Sequence, residues 1–204
     1  MCPPSLHNDE KRFLLQIARR AIESALAGRE SQEIPELAGN LAARRGAFVT
    51  LHRRGRLRGC IGRVVVLEPL ARVVAECAVA AALDDPRFSR LQPADLAELQ
   101  IELSVLSLPK RVALEEVQPG VHGVVISRGE KRGVLLPQVA REHRWTRERF
   151  LEETCEKAGL ASAAWKSPET HIEVFTAEVF SEADCATSSD KNNSPASPGY
   201  SISQ

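Results

Sequence analysis

Residues 46–66 read GAFVTLHRRGRLRGCIGRVVV, two runs rich in β-branched and aromatic residues that meet around Gly55. Apolar and polar positions alternate on either side of a glycine turn, so this stretch is a hairpin of two antiparallel strands. If residues 56–62 keep strict alternation, Arg56, Arg58 and Cys60 share one face, and Leu57 and Ile61 share the other, toward the core. Gly59 and Gly62 flank the cysteine, and glycine inside a strand marks a bulge or a place where another backbone or a ligand comes close.

Outward from this hairpin the chain mixes helices and strands. Phe13, Leu14, Ile17, Ala18, Ala21, Ile22, Ala25 and Leu26 recur at three- and four-residue steps, which predicts an amphipathic helix over 9–27 stopped by Gly28. A short helical turn is expected near 36–40. A second helix opens at Glu68 and Pro69, with the proline at the first helical position, and carries Leu70, Val73, Val74, Cys77, Ala78 and Ala81 on its stripe. Ile101, Leu103 and Val105 alternate with Gln100, Glu102 and Ser104 in a half-buried strand that ends by Pro109. HGVVIS and GVLL pair around Gly129. A short helix follows over 137–143, then one capped by Thr146 and stopped by Gly159, and THIEVFTAEVF (170–180) closes the fold as a strand. Helices interleaved with hairpin-connected strands make the class α+β with antiparallel sheets. Residues 1–185 form the domain, and 186–204, rich in Ser, Asn and Pro, form a disordered tail.

Composition narrows the function. Lys plus Arg and Asp plus Glu both number 27, so the chain is not a uniformly basic nucleic-acid coat. The absence of an apolar run near 18 residues or of a signal-like N-terminus points to a cytoplasmic location without membrane insertion. Five scattered cysteines and five isolated histidines give neither a disulfide framework nor a metal-ligand spacing, so no metal and no cofactor is expected. GxxxxGK[ST], GxGxxG and GxSxG are all missing.

The chemistry is therefore sought in local clusters. Arg44, Arg45, Arg53, Arg54, Arg56, Arg58 and Arg63 lie in a stretch without any acidic residue, a cationic patch inside a neutral chain. Guanidinium groups beside Cys60 would favour its thiolate and make it reactive. Against that stands the ordinary reading of a buried, inert thiol. DDPRF (84–88) supplies Asp85 and Arg87 in a turn, with Phe88 as an apolar anchor. Glu102 projects from the polar side of its strand, and His122 precedes Gly123 where an imidazole could take a thiol proton.

LRGCIG at 57–62 resembles the signature hexapeptide of the AMMECR family, named after a human chromosomal region associated with Alport syndrome, midface hypoplasia and elliptocytosis. GAFVTL, DPRF, IELSVLS, the GxHG of Gly120–Gly123, LPQV within 135–139, the Trp145 region and FLEETCEKAGL agree with it, so the resemblance runs over roughly 9–182. It implies an α+β domain in two unequal subdomains, an antiparallel sheet flanked by helices. It also implies membership of a three-part system (the AmmeMemoRadiSam system, as its protein A) with a Memo-like protein and a radical S-adenosylmethionine protein. No reaction comes with it, so catalysis stays open and function must be argued from the site.

Two main expectations follow. In one, Arg58, Gly59, Gly62, Asp85, Arg87 and Glu102 bind a small anionic substrate in one cleft, with Cys60 as nucleophile, His122 as proton acceptor, and Glu102 paired to Arg58 or Arg87. In the other, the chain is a non-catalytic adaptor that docks the Memo-like and radical proteins. Nucleic-acid binding through Arg44–Arg63 is the least favoured, because Phe48 is the one aromatic residue in that stretch.

Overall fold

The computed structural model describes residues 5–29, 34, 37–64 and 66–187. Cys2 and residues 188–204, most of the expected tail, lie outside them. The first helix, α1 (Asn8–Leu26), begins where the Glu10 carboxylate accepts the His7 N–H at 2.8 Å. A single turn, α2 (Gly39–Ala42), leads to β1 (Ala47–Arg53) and β2 (Arg56–Arg63). Arg54 and Gly55 both take positive φ, 50° and 72°, the geometry that lets a two-residue turn follow the right-handed twist of its strands. Helix α3 (Leu70–Leu83) starts one residue later than expected, with Pro69 as its N-cap rather than its first residue.

β3 (Leu99–Leu106) and β8 (Ala177–Ser181) complete the first sheet, ordered β2-β1-β3-β8 and antiparallel throughout. Its Val49, Leu51, Ile101 and Leu103 face Leu14, Ile22, Val73, Val74 and Cys77 of α1 and α3, all of them buried. That is the main core. The second sheet is β4-β7-β5-β6, from β4 (Lys110–Arg111), β5 (Gly123–Arg128), β6 (Lys131–Leu135) and β7 (His171–Phe175). Val124, Ile126 and Val174 pack against Phe150, Leu151 and Cys155 of α5 (Arg147–Lys157), whose Thr146 cap accepts the Arg149 N–H at 3.3 Å. α4 (Pro137–Glu142) and α6 (Glu182–Thr187) are short; α6 carries helix two residues past the domain end expected at 185.

One expectation about the strands needs correction. THIEVFTAEVF is not one strand but two, β7 in the second sheet and β8 in the first. Thr176 is the crossing point, and Ser107, where the chain leaves β3 for β4, lies against it. The Ser107 N–H donates to the Thr176 carbonyl at 2.9 Å, and the Thr176 N–H donates to Ser107 Oγ at 3.0 Å. Both passages between subdomains are thus tied together, and unbroken apolar alternation hides the switch.

The two sheets also share a small core of Leu106, Val125 and Phe175, with Phe48, Val64 and Ala177 against it. Each sheet contributes a glycine covered by an aromatic ring across its strand pair. Phe48 pairs with Gly62, and Phe175 with Gly123. A Cβ on Gly62 would come within 2.2 Å of the Phe48 ring, and one on Gly123 within 2.3 Å of the Phe175 ring.

Candidate functional site

Strand register sets the site. Cys60 pairs with Thr50, Thr50 with Glu102, and Glu102 with Ser181. Cross-strand partners share a face, so these four form a polar row on the side of the first sheet turned away from α1 and α3. The Thr50 Oγ1 and Cys60 Sγ lie 3.4 Å apart, close enough for a hydrogen bond.

β2 is an edge strand, and the Cys60 peptide points outward from the sheet. An edge N–H and C=O without partners are costly and invite foreign strands. Here the turn after α3 closes the edge. Asp85 Oδ2 accepts the Cys60 N–H at 2.8 Å, and Arg87 Nη2 donates to the Cys60 carbonyl at 3.0 Å and to Asp85 Oδ2 at 2.7 Å. Asp85 Oδ1 takes the Arg87 backbone N–H at 3.1 Å and its Nε at 3.0 Å. Asp85 is only 4% exposed. The Arg87 guanidinium holds its carboxyl well below the usual carboxylate range, helped by the Cys60 and Arg87 backbone N–H groups and opposed by burial.

LRGCIG and DPRF therefore meet as the sequence suggested, but the roles of several residues change. Asp85 and Arg87 neutralise each other and hold the Cys60 backbone, and the Arg87 charge also interacts with the Cys60 thiol. Gly59 and Gly62 serve close packing, because a Cβ on Gly59 would lie 2.1 Å from the Ala81 carbonyl oxygen of α3, and Gly62 is covered by Phe48. Strict alternation also fails, because the register slips between Leu51 and His52. Leu57 consequently pairs with His52 and is 43% exposed instead of facing the core, whereas Ile61 packs on the core.

Glu102 does not pair with Arg58 or Arg87. Among the described residues its carboxylate has no hydrogen bond or ion pair. Arg58 Nη2 donates to Ser89 Oγ at 3.3 Å, while Arg58 Nη1 is buried with no acceptor. His122 stands apart from Cys60, with which it shares no hydrogen bond. Its Nδ1 accepts the Gln118 N–H at 3.2 Å, and burial and then the Lys110 charge keep its pKa below the ordinary imidazole value.

Three of the seven arginines in the 44–63 stretch pair with acids from elsewhere in the chain. Arg53 pairs with Asp95 and Glu98, Arg54 with Glu98, and Arg63 with Glu76 at 2.7 Å. Arg45 is 4% exposed and donates to the Leu106 carbonyl at 2.9 Å. Among the described residues no His, Cys, Asp and Glu cluster could hold a metal ion, and no helix is long and apolar enough to cross a membrane.

Beyond Glu102, a cleft of about 480 Å³ opens between the subdomains. Glu102, Ala177 and Val179 form one wall, and Gly120, Val121, Gln138 and Arg141 from the turn before β5 and from α4 line the other. Gln138 and Arg141 were not singled out as site residues. The GxHG and LPQV runs brought the chain near them, but only the fold places both across from Glu102.

Two antiparallel sheets, each backed by helices and joined over a shared apolar seam, define an α+β protein with an inter-subdomain cleft. The chain belongs to the AMMECR1 family, whose model matches residues 15–180. A protein of Methanothermobacter thermautotrophicus is 42% identical over 185 residues, covering 87% of this chain and 96% of the relative. One from Methanopyrus kandleri is 40% identical, covering 86% and 90%. The crystal structure of the uncharacterized protein PH0010 from Pyrococcus horikoshii superposes with a TM-score of 0.72 at 37% identity, covering 83% of this chain and 90% of that one.

Proposed function

We propose that the polar face of the first sheet binds a small anionic molecule at its β2 end, with Arg58 as the recognising cation and Cys60 as a reactive thiol beside it. The observation that carries this reading is the Arg58 guanidinium, which has no ion pair among the described residues, its Nη2 meeting Ser89 Oγ and its Nη1 no acceptor. A buried, unsatisfied donor is costly, and a carboxylate or phosphate oxygen is the acceptor a guanidinium fork suits best. The acid-binding end is the Arg58 end. Glu102 lies two strands away from Cys60, roughly 10 Å at the ordinary strand spacing, and its negative charge repels an anion placed further along the row. As a component of the three-part system, the chain would receive this molecule from, or pass it to, the Memo-like or radical S-adenosylmethionine protein.

Iodoacetamide labelling near neutral pH, read residue by residue by mass spectrometry, tests the reading. The comparison thiol is Cys185, which is half-buried like Cys60 and whose pKa burial raises. Cys77 is buried, with its thiol pushed up to about 11, and serves as the inert control. Cys60 is expected to label about tenfold faster than Cys185. Inorganic phosphate should slow Cys60 labelling in the wild type but not in Arg58→Gln. Equal rates for Cys60 and Cys185 would remove the reactive thiol, and no protection by phosphate would remove the anion site.

A further inference from the structure

The inter-subdomain cleft has a chemistry of its own, different from the β2 end of the face. On one wall is the Glu102 carboxylate, half-buried and without a hydrogen bond or ion pair among the described residues. On the other is Gln138, which lines the cleft although its Oε1 is closed off from solvent. Arg141 lines the same cleft, and its guanidinium likewise has no ion pair or side-chain hydrogen bond among the described residues. Glu102 and Arg141 do not reach each other. Val121 and Val179 line the same cleft, apolar side chains left 54% and 48% exposed.

Each feature needs something the protein does not provide. A half-buried carboxylate calls for N–H donors and for positive charge. An arginine with its fork unused calls for a carboxylate or phosphate. Two apolar side chains exposed in the same cleft suit a short methylene segment. Were one macromolecular surface the occupant, the charges would be expected on an open face; here they lie on facing walls of a cleft sized for a small molecule.

We infer that this cleft binds a small amphoteric molecule, with an ammonium or guanidinium group held by Glu102, a carboxylate or phosphate group held by Arg141, and a short apolar segment along Val121 and Val179. The site shares the sheet face with the anion site proposed above, but neither Arg58 nor Cys60 takes part in it. Because the two subdomains each supply one charged wall, the bound molecule also bridges them.

NMR titration of the full chain with three probes tests this: γ-aminobutyrate carries both charges, butyrate only the negative one, and n-butylammonium only the positive one. γ-Aminobutyrate is expected to give saturable shifts at the Val121 and Val179 methyl resonances and to bind roughly tenfold more tightly than either single-charge probe. Glu102→Gln keeps the shape and breaks no existing contact, so it should fold normally. It is expected to weaken γ-aminobutyrate and n-butylammonium about tenfold and leave butyrate unchanged, whereas Arg141→Gln should weaken γ-aminobutyrate and butyrate and leave n-butylammonium unchanged. Wild-type binding of butyrate as tight as that of γ-aminobutyrate, or Glu102→Gln binding γ-aminobutyrate like the wild type, would overturn the amphoteric assignment. No shift at either valine with any probe would overturn the site itself. Phosphate protection of Cys60 is read separately, so the anion site can stand or fall apart from this one.

Discussion

Gly59→Ala is expected to destabilise the chain by about 3 kcal/mol, the upper part of the range for forcing extra volume into a packed core. The alanine Cβ would lie 2.1 Å from the Ala81 carbonyl oxygen and 3.0 Å from its carbonyl carbon. Those are backbone atoms in the last turns of α3 and cannot turn aside as a side chain would. Either β2 leaves β1 or α3 leaves the sheet, and both losses open the main core where Val74, Cys77 and Ala78 are buried. Gly59 does not occupy the left-handed region, so the strain is steric and not torsional. Thermal unfolding followed by circular dichroism should show a midpoint lower by roughly 10 °C, given the entropy of unfolding for a domain of this size. Gly55→Ala is the contrast: the open turn holds nothing within 4 Å of its Cβ, so only the smaller cost of positive φ applies. An equal effect at the two positions would show that close packing on α3 is not what Gly59 provides.

This pairing explains which parts of the fold the sequence disclosed. α1, α3 and β3 were legible because each buries one face in one core, and the spacing of Leu14, Ala18 and Ile22 or of Ile101, Leu103 and Val105 reports that burial directly. The 170–180 run was not legible as two strands. Its residues are apolar-alternating throughout, and the change of sheet at Thr176 depends on Ser107, 69 residues earlier. The slip in β2 was hidden for a similar reason. Its partner strand β1 decides the register, and a glycine beside Cys60 signals either a bulge or a close approach, here both, the slip opposite Leu51 and His52 and the approach of α3.

The site divides in the same way. That LRGCIG and DPRF act together was readable from resemblance, yet what they do to each other was not, because an aspartate in a turn and an arginine two residues later read equally well as a solvated cap. Glu102 was placed on the correct face by alternation, but its partners were misjudged. Charge pairing is set by three-dimensional reach: the acids that pair with Arg53, Arg54 and Arg63 come from residues 76–98, and Glu102 has no partner among the described residues. Gln138 lies inside the LPQV run but, like Arg141, reads locally as a polar residue on a short helix, which is ordinarily just solvated.

The second large effect is expected at Asp85. Asp85→Asn keeps the side-chain shape but turns one of two acceptors into a donor, which must then face the Cys60 N–H or the Arg87 N–H groups. One of these donors loses its partner, and a buried carboxylate that receives several hydrogen bonds loses its charge. A cost of about 3 kcal/mol is expected from the lost charge-assisted bonds and the unsatisfied N–H. Arg87→Ala should cost less, about 1 kcal/mol, because the arginine side chain is 56% exposed and its attraction to Asp85 is screened. The Cys60 carbonyl it leaves can turn to water. Urea unfolding of both variants gives the order, and Arg87→Ala costing as much as Asp85→Asn would show that the ion pair, not the closing of the β2 edge, is what Asp85 supplies. The pH dependence follows from the same contacts. The folded-state pKa of Asp85 lies below that of the unfolded chain, near 3.9, so the folded state binds its proton more weakly. The stability it contributes is present in full above the ordinary carboxylate range and is lost as pH falls through the lower folded value. Wild-type stability should therefore keep falling below the usual carboxylate range, while Asp85→Asn, already without that contribution at neutral pH, should show a shallower acid limb. Parallel acid limbs in the two proteins would mean that Asp85 titrates in the folded chain as it does in the unfolded one, and that the clamp on Cys60 does not depend on its charge.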